Sequence, residues 1–544
     1  MQEYLQITGK VVDVYHQNIY GATLYIKAGK IQSIEKNENA EEPYILPGLI
    51  DSHIHIESSM ITPQYFAQEA VKHGTVGTIS DPHEIANVLG ERGINAMIND
   101  ARQTPFKFYF GVPSCVPATP FETSGAVLDS KIVNKLISDD QFYYLAEMMN
   151  FPGVIHQDPE VMRKIKSTLD KGKPVDGHVP GLSGTDLDKY IDAGITTDHE
   201  CGNYEEAVEK INKGMKIQIR EGSAAKDFDN LYKLIDEYPD NVMLCSDDKH
   251  PDDLIQGHIN QLIRKGMGKG INLFNLLKAA IVNPVEHYNL PVGMLKENDP
   301  ADFILLDNLD NFNVSQTYIN GQKVYDQEGV HFSVSPTDYP NIMEAQKLNI
   351  SDIEVINKQK PVKVINAKDR TLYTSFETIQ LKSSDDTLHS DPSEDVLKIV
   401  VQNRYKKQKP SIGFIKNFGL RKGAIATSVA HDSHNIICVG VEDESIVNAV
   451  NEIINIGGGN VVYDGNTFTS LPLEFGGLMT SKPASDVAEQ YQNLNSITKQ
   501  LGCSLYAPFM TLAFMALPVI PELKITDQGL FDVTQFKYTE LYGG

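Results

Sequence analysis

Two histidines one residue apart, His53 and His55, close the run Pro47-Gly48-Leu49-Ile50-Asp51-Ser52-His53-Ile54-His55. In an extended strand residues i and i+2 face the same side, so both imidazoles can be offered to one ion. Alone, such a pair fits an exposed strand equally well. It gains weight because four other β-rich runs each deliver one ligand type: 142–146 leads to Glu147, 174–177 to His178, 195–198 to His199 and 242–246 to Asp247. Four imidazoles and two carboxylates suit divalent Zn, Mn or Fe, and six protein ligands exceed the needs of a single open catalytic zinc. The reading is a pair of cations sharing a bridging hydroxide, with Glu147 as the bridging ligand.

Ligands carried at strand ends need a scaffold that brings many strand ends together, and a parallel barrel does this at its C-terminal face. Eight runs qualify as its strands: 44–50, 75–80, 107–112, 142–146, 174–177, 195–197, 216–219 and 242–246, with helix-compatible stretches such as 63–73 and 204–213 between them. The expected fold is an α/β (β/α)8 TIM-like barrel over 47–294. Short alternating strands on either side, 1–46 and 295–345, predict one small discontinuous β-sheet domain, with Asn320-Gly321 as a hairpin turn. Residues 346–544 read as a C-terminal α/β domain with strands at 397–402, 436–441 and 460–463, a helix at 444–454 and an exposed loop at 383–394.

A chain of 544 residues exceeds what one hydrophobic core supports, which agrees with several domains. Its 48 Lys+Arg against 72 Asp+Glu give a formal charge of −24, a field that repels a phosphate backbone and argues against nucleic acid as a partner. Five scattered cysteines without a C-x-x-C pair argue against a disulfide framework and a structural zinc knuckle, and point to a reducing cytoplasm. The start MQEYLQITGK has no signal-peptide pattern. The apolar stretch 506–520 is too short to span a bilayer and carries Pro508 and Pro518, so it reads as core, and no membrane partner is expected.

The run ending in His55, the later single histidines, Ser246-Asp247 and Gly293-Met294-Leu295-Lys296-Glu297-Asn298-Asp299-Pro300-Ala301-Asp302-Phe303 together resemble the amidohydrolase superfamily. Within it the chain resembles the adenine deaminase family over essentially its full length. Ile56-Glu57-Ser58-Ser59-Met60, Ser80-Asp81-Pro82-His83-Glu84-Ile85-Ala86-Asn87, Cys245-Ser246-Asp247-Asp248 and Val429-Ala430-His431-Asp432-Ser433-His434-Asn435 carry that likeness. Many superfamily members bridge their metals with a carbamylated lysine; here Glu147 stands in the fourth run, as in adenine deaminases, while Lys171 and Lys173 belong to the opposite rim. The resemblance implies two divalent ions per chain, Mn2+ expected and Fe2+ or Zn2+ as alternatives, and hydrolytic deamination of adenine to hypoxanthine and ammonia in purine salvage. It implies that Asp247, rather than Asp248, ligates metal and shuttles the proton of the attacking hydroxide to the amine. Glu84 and Glu200, both beside histidines, are equal candidates for protonating ring N1. A homo-oligomer, a dimer, is expected.

Duller readings stand beside these. His73 caps a helix before Gly74, Gly457-Gly458-Gly459 is a turn, and Cys245 is a buried structural thiol. His83 is open between lining the pocket, holding an extra ion and supporting a ligand. His431-Asp432-Ser433-His434 is expected as a polar loop over the barrel mouth. Two rival functions remain: hydrolysis of a cyclic amide or related heterocycle, which uses the same metal-activated attack on an sp2 carbon, and a non-catalytic barrel, which the six filled ligand positions disfavour.

Overall fold

The computed structural model describes residues 5–223, 225–383 and 386–543. Strands β1 (Leu5–Asp13), β2 (Asn18–Lys27) and β3 (Lys30–Lys36) form an antiparallel meander. β4 (Tyr44–Pro47) lies parallel to β1.

Eight parallel strands follow: β5 (Leu49–Ile54), β6 (Thr75–Ser80), β7 (Lys107–Val112), β8 (Phe142–Met148), β9 (Val175–Gly177), β10 (Thr197–Asp198), β11 (Lys216–Arg220) and β12 (Val242–Cys245). Single bridges Val175–Ile195 and Ile54–Asp247 join β9 to the start of β10 and β12 back to β5, closing the barrel. Every residue of β5, β6 and β12 is buried, as expected where helices cover one face and barrel core the other. A buried polar group fastens the closing seam. Asp51 on β5 accepts the Ser246 amide at 3.0 Å and the His258 ring Nε2–H at 2.7 Å, and the Ser246 hydroxyl also binds it.

After the barrel the chain returns to the first sheet. β13 (Phe303–Leu306) pairs with β4, and β14 (Val314–Ile319), β15 (Gln322–Asp326) and β16 (Gly329–Val330) extend the sheet outward to eight strands. Asn320 and Gly321 both have positive φ, 48° and 72°, the conformation their hairpin turn requires. One expectation is corrected here. Residues 44–50 are not a single barrel strand: 44–47 belong to the flanking sheet, and the barrel strand runs from Leu49 to Ile54. The break falls at Gly48, where a Cβ would lie 2.3 Å from Val76 Cγ1, so only glycine lets the chain pass this close to β6. A continuous apolar run hides such a change of sheet.

The C-terminal half is a mixed eight-stranded sheet with Val396–Gln402, fully buried, near its centre between Ser411–Lys416 and Ile436–Gly440. The helix Asp443–Ile456 buries Ile446, Val450 and Ile453 against it; acidic residues in its first turn suit the positive helix end, and left-handed Gly457 stops it. The expected exposed loop 383–394 is corrected in part: Thr387–Leu388 pairs with Val355–Ile356 and buries Leu388, while Ser384 and Asp385 lie outside the described residues. The stretch 506–520 is core from Pro508 on, with helix Pro508–Ala513 buried throughout, but Tyr506 at its start is exposed. Among the described residues no helix is long and apolar enough to cross a membrane.

Candidate metal centre

His53 and His55 sit at the end of β5, and their Nε2 atoms meet at 3.2 Å. The other ring nitrogen of His55 donates to the Asp81 carbonyl at 3.2 Å, leaving the Nε2 lone pair turned inward. Asp247 follows β12 in a left-handed conformation, φ 56°, which Asp tolerates better than most side chains. Its amide donates to the His53 carbonyl at 2.9 Å, and its Oδ1 comes to 3.4 Å from His53 Nε2 and 3.2 Å from His55 Nε2.

Glu147, near the end of β8, spans the group. Its Oε1 is 3.5 Å from His55 Nε2; its Oε2 is 3.1 Å from His199 Nε2 and 2.7 Å from His178 Nδ1. Tyr190 steadies this side, its hydroxyl donating to the Met148 carbonyl at 2.7 Å while accepting the His178 amide at 3.1 Å. Asp198, buried and paired with Lys210 at 2.8 Å, accepts the Val179 amide and so ties the His178 loop to the end of β10. The structure thus brings all six expected ligands together at one barrel rim, in overlapping triads able to hold an ion.

These donors fit divalent cations. Two imidazole nitrogens 3.2 Å apart and facing carboxylate oxygens at similar range are adverse as lone pairs alone; a cation between them resolves the conflict. The same crowding shifts the ionisations. Burial favours neutral Glu147 and Asp247, but the histidines around them, together with Arg220 at Asp247, outweigh it and hold both carboxyls well below their usual range. Burial would lower His178, yet Glu200 and Glu147 push it up to about 9.

The two candidate acids are both engaged. Glu84, just after β6, has Oε1 2.6 Å from His431 Nδ1 and Oε2 against His434 Nε2, so the C-terminal half reaches the barrel mouth here. Glu200 forms a two-point ion pair with Arg220, whose Nη1 also lies 3.0 Å from Asp247 Oδ2. Although burial favours the neutral acids, these cationic partners keep Glu84 and Glu200 below the ordinary value. Glu200 retains 11% of its side-chain surface, against 3% for Glu84.

Around the metal cluster is a pocket roofed by Leu372, Phe514, Leu517 and Ile520, with the His431 ring stacked on Phe514 at 4.3 Å. Lys524 fastens the roof by donating to the carbonyls of Leu372 at 2.8 Å and Phe514 at 3.0 Å. His431-Asp432-Ser433-His434 lies against the barrel mouth as a polar segment, and all four residues are buried there. Cys245 is buried and its thiol is pushed up by desolvation, consistent with a structural role. The sequence reading missed Arg220 and the roof. Arg220 was within reach, since it follows the run 216–219 just as the ligands follow theirs; the roof residues carry no such mark.

A closed parallel barrel with imidazoles and carboxylates gathered at its C-terminal rim defines a class of hydrolytic barrel enzymes. Residues 44–324 match the amidohydrolase family, and residues 371–537 match the adenine deaminase C-terminal domain. A protein named adenine deaminase from Methanosarcina barkeri is 53% identical over 553 aligned positions, covering 100% of both chains. Another so named, from Salinibacter ruber, is 47% identical over 545, again covering 100% of both. The chain belongs to the amidohydrolase family, in its adenine deaminase branch.

Proposed function

We propose that this chain hydrolyses the exocyclic amine of adenine, giving hypoxanthine and ammonia. The observation that carries the proposal is Glu147, whose two oxygens reach separate histidine groups, His55 on one side and His178 with His199 on the other, beside the carboxylate of Asp247. His53, His55, Glu147, His178, His199 and Asp247 would hold two divalent ions, with Mn2+ as our assignment. When bound, such a pair makes water acidic enough to supply a nucleophile near neutral pH.

The chain's own groups do the remaining work. Asp247, within reach of the ligand group and held ionised, accepts the proton of the attacking water and returns it to the departing amine. Arg220 bonds Asp247 and Glu200 together, orienting both towards one side of the pocket. Both carboxylates are engaged, and of the two candidate acids we assign ring protonation to Glu200 because it keeps more of its side chain exposed, 11% against 3% for Glu84. Arg220 keeps Glu200 ionised at rest, so Glu200 acts as a relay that takes up one of the two protons the water gives up and passes it to ring N1, while Asp247 carries the other to the amine. Leu372, Phe514, Leu517 and Ile520 present an apolar wall to the flat base and shed water from it.

The test is ammonia release from adenine by metal-depleted chain reconstituted with Mn2+, Fe2+ or Zn2+, alongside ring opening of cyclic amides. Turnover of a cyclic amide but not of adenine would select the rival amidohydrolase reaction. The proposal extends to a division into 1–46 with 295–345, 47–294 and 346–544, and to a dimer serving purine salvage in the cytoplasm. Five free buried cysteines suit a reducing compartment, and light scattering of the purified chain reads the oligomer directly.

A further inference from the structure

Beside the six-residue cluster lies a second one that the proposed reaction does not use as metal ligand. Its members come from both halves of the chain: His83 and Glu84 after β6, His431 and Asp432 from the C-terminal half. His83 stands between the two. Its Nδ1 lies 3.0 Å from Asp81 Oδ2, and its Nε2 faces two carboxylates, Glu84 Oε1 at 3.5 Å and Asp432 Oδ1 at 4.0 Å. A carboxylate behind the far nitrogen is the arrangement that readies a histidine for metal.

His431 Nδ1 completes the set, 2.6 Å from Glu84 Oε1 and 4.0 Å from Asp432 Oδ1. Donors bound tetrahedrally at about 2.0–2.1 Å stand roughly 3.3 Å apart, and these separations scatter around that value. His434 is excluded as a ligand. Its Nδ1 accepts the Ala430 amide at 3.2 Å, so its Nε2 carries the proton and donates it to Glu84, orienting the carboxylate. Independently, Asp432 is buried with 4% of its side chain exposed, and its Oδ2 has no hydrogen-bond partner. A carboxylate left in this state so far from water calls for a cation.

We propose that His83, Glu84, His431 and Asp432 bind a further divalent cation, of the Zn, Mn or Fe class, that joins the barrel to the C-terminal half. Two nitrogen and two oxygen donors are a set these ions accept. The site is separated from the first cluster by one imidazole ring, since the other edge of His83 lies 3.3 Å from Glu147 Oε1.

Metal analysis of the full-length chain reconstituted with Mn2+ tests this. We expect about three ions per wild-type chain, about two in His431→Asn and in Asp432→Asn, and loss of the other ions in a His53→Asn/His55→Asn variant. Anomalous scattering from Mn2+-loaded crystals should add a peak between the four side chains. The site is ruled out if His431→Asn and Asp432→Asn both keep the wild-type metal content, for then His83 Nε2 holds only a proton. The first cluster stands or falls separately on the His53→Asn/His55→Asn result, and two independent variants guard against one that fails to fold.

Discussion

The two histidine–carboxylate clusters touch through His83, yet they are built in opposite ways. The rim cluster takes each member from the end of a barrel strand, where pleating and hydrogen bonding fix the direction of the side chain. The second joins Glu84 to His431 across 347 positions and exists only because two distant regions of the chain pack together. The rim is therefore rigid by local geometry, whereas the neighbouring cluster is only as firm as the contact between the halves.

That contrast can be broken. Glu147→Ala removes the group common to both sides of the rim and should lower kcat for adenine by roughly a thousandfold or more, with metal lost as well; unchanged turnover would end the rim assignment. Arg220→Met should cost less, roughly ten- to a hundredfold in kcat/KM with metal content retained, because it orients Asp247 and Glu200 without being a ligand. Arg220→Lys should recover little, as an ammonium cannot make the two-point contact.

The smallest effect concerns the roof. Burial pulls the Lys524 ammonium down to about 7. Between that value and the ordinary lysine range the unfolded chain holds a proton that the folded chain lacks, so stability rises with pH across this window. Lys524→Met should flatten that rise, worth at most about 1.4 kcal/mol per pH unit, in melting temperatures compared at pH 6.5 and 9. A wild-type-like slope in the variant would show that Lys524 is not its source.

The same contrast explains how far the sequence could be read. Strand ends announce themselves as apolar runs followed by one polar residue, which is why His53, His55, Glu147, His178, His199 and Asp247 stand out in the sequence as one group. Local patterns could not reveal that the run 44–50 changes sheet at Gly48, since apolar strands look alike whichever sheet they join. Nor could they reveal that His431 and His434 reach Glu84, because nothing in either segment encodes the other's position. Glu84 and Glu200 had equal standing in the sequence; their partners, two histidines against one arginine, and their unequal exposure separate them.

The placement of Tyr44–Pro47 between Leu5–Asp13 and Phe303–Leu306 has a consequence for biosynthesis. A nascent chain emerges from the ribosome with β4 already beside β1, but its other edge has no partner until well over half the protein has been translated. During that interval an unsatisfied strand edge is open to mispairing or to chaperones, and a fragment ending before residue 303 keeps it open permanently. Protease cutting near residue 44 in such a fragment, absent from the complete chain, would report it.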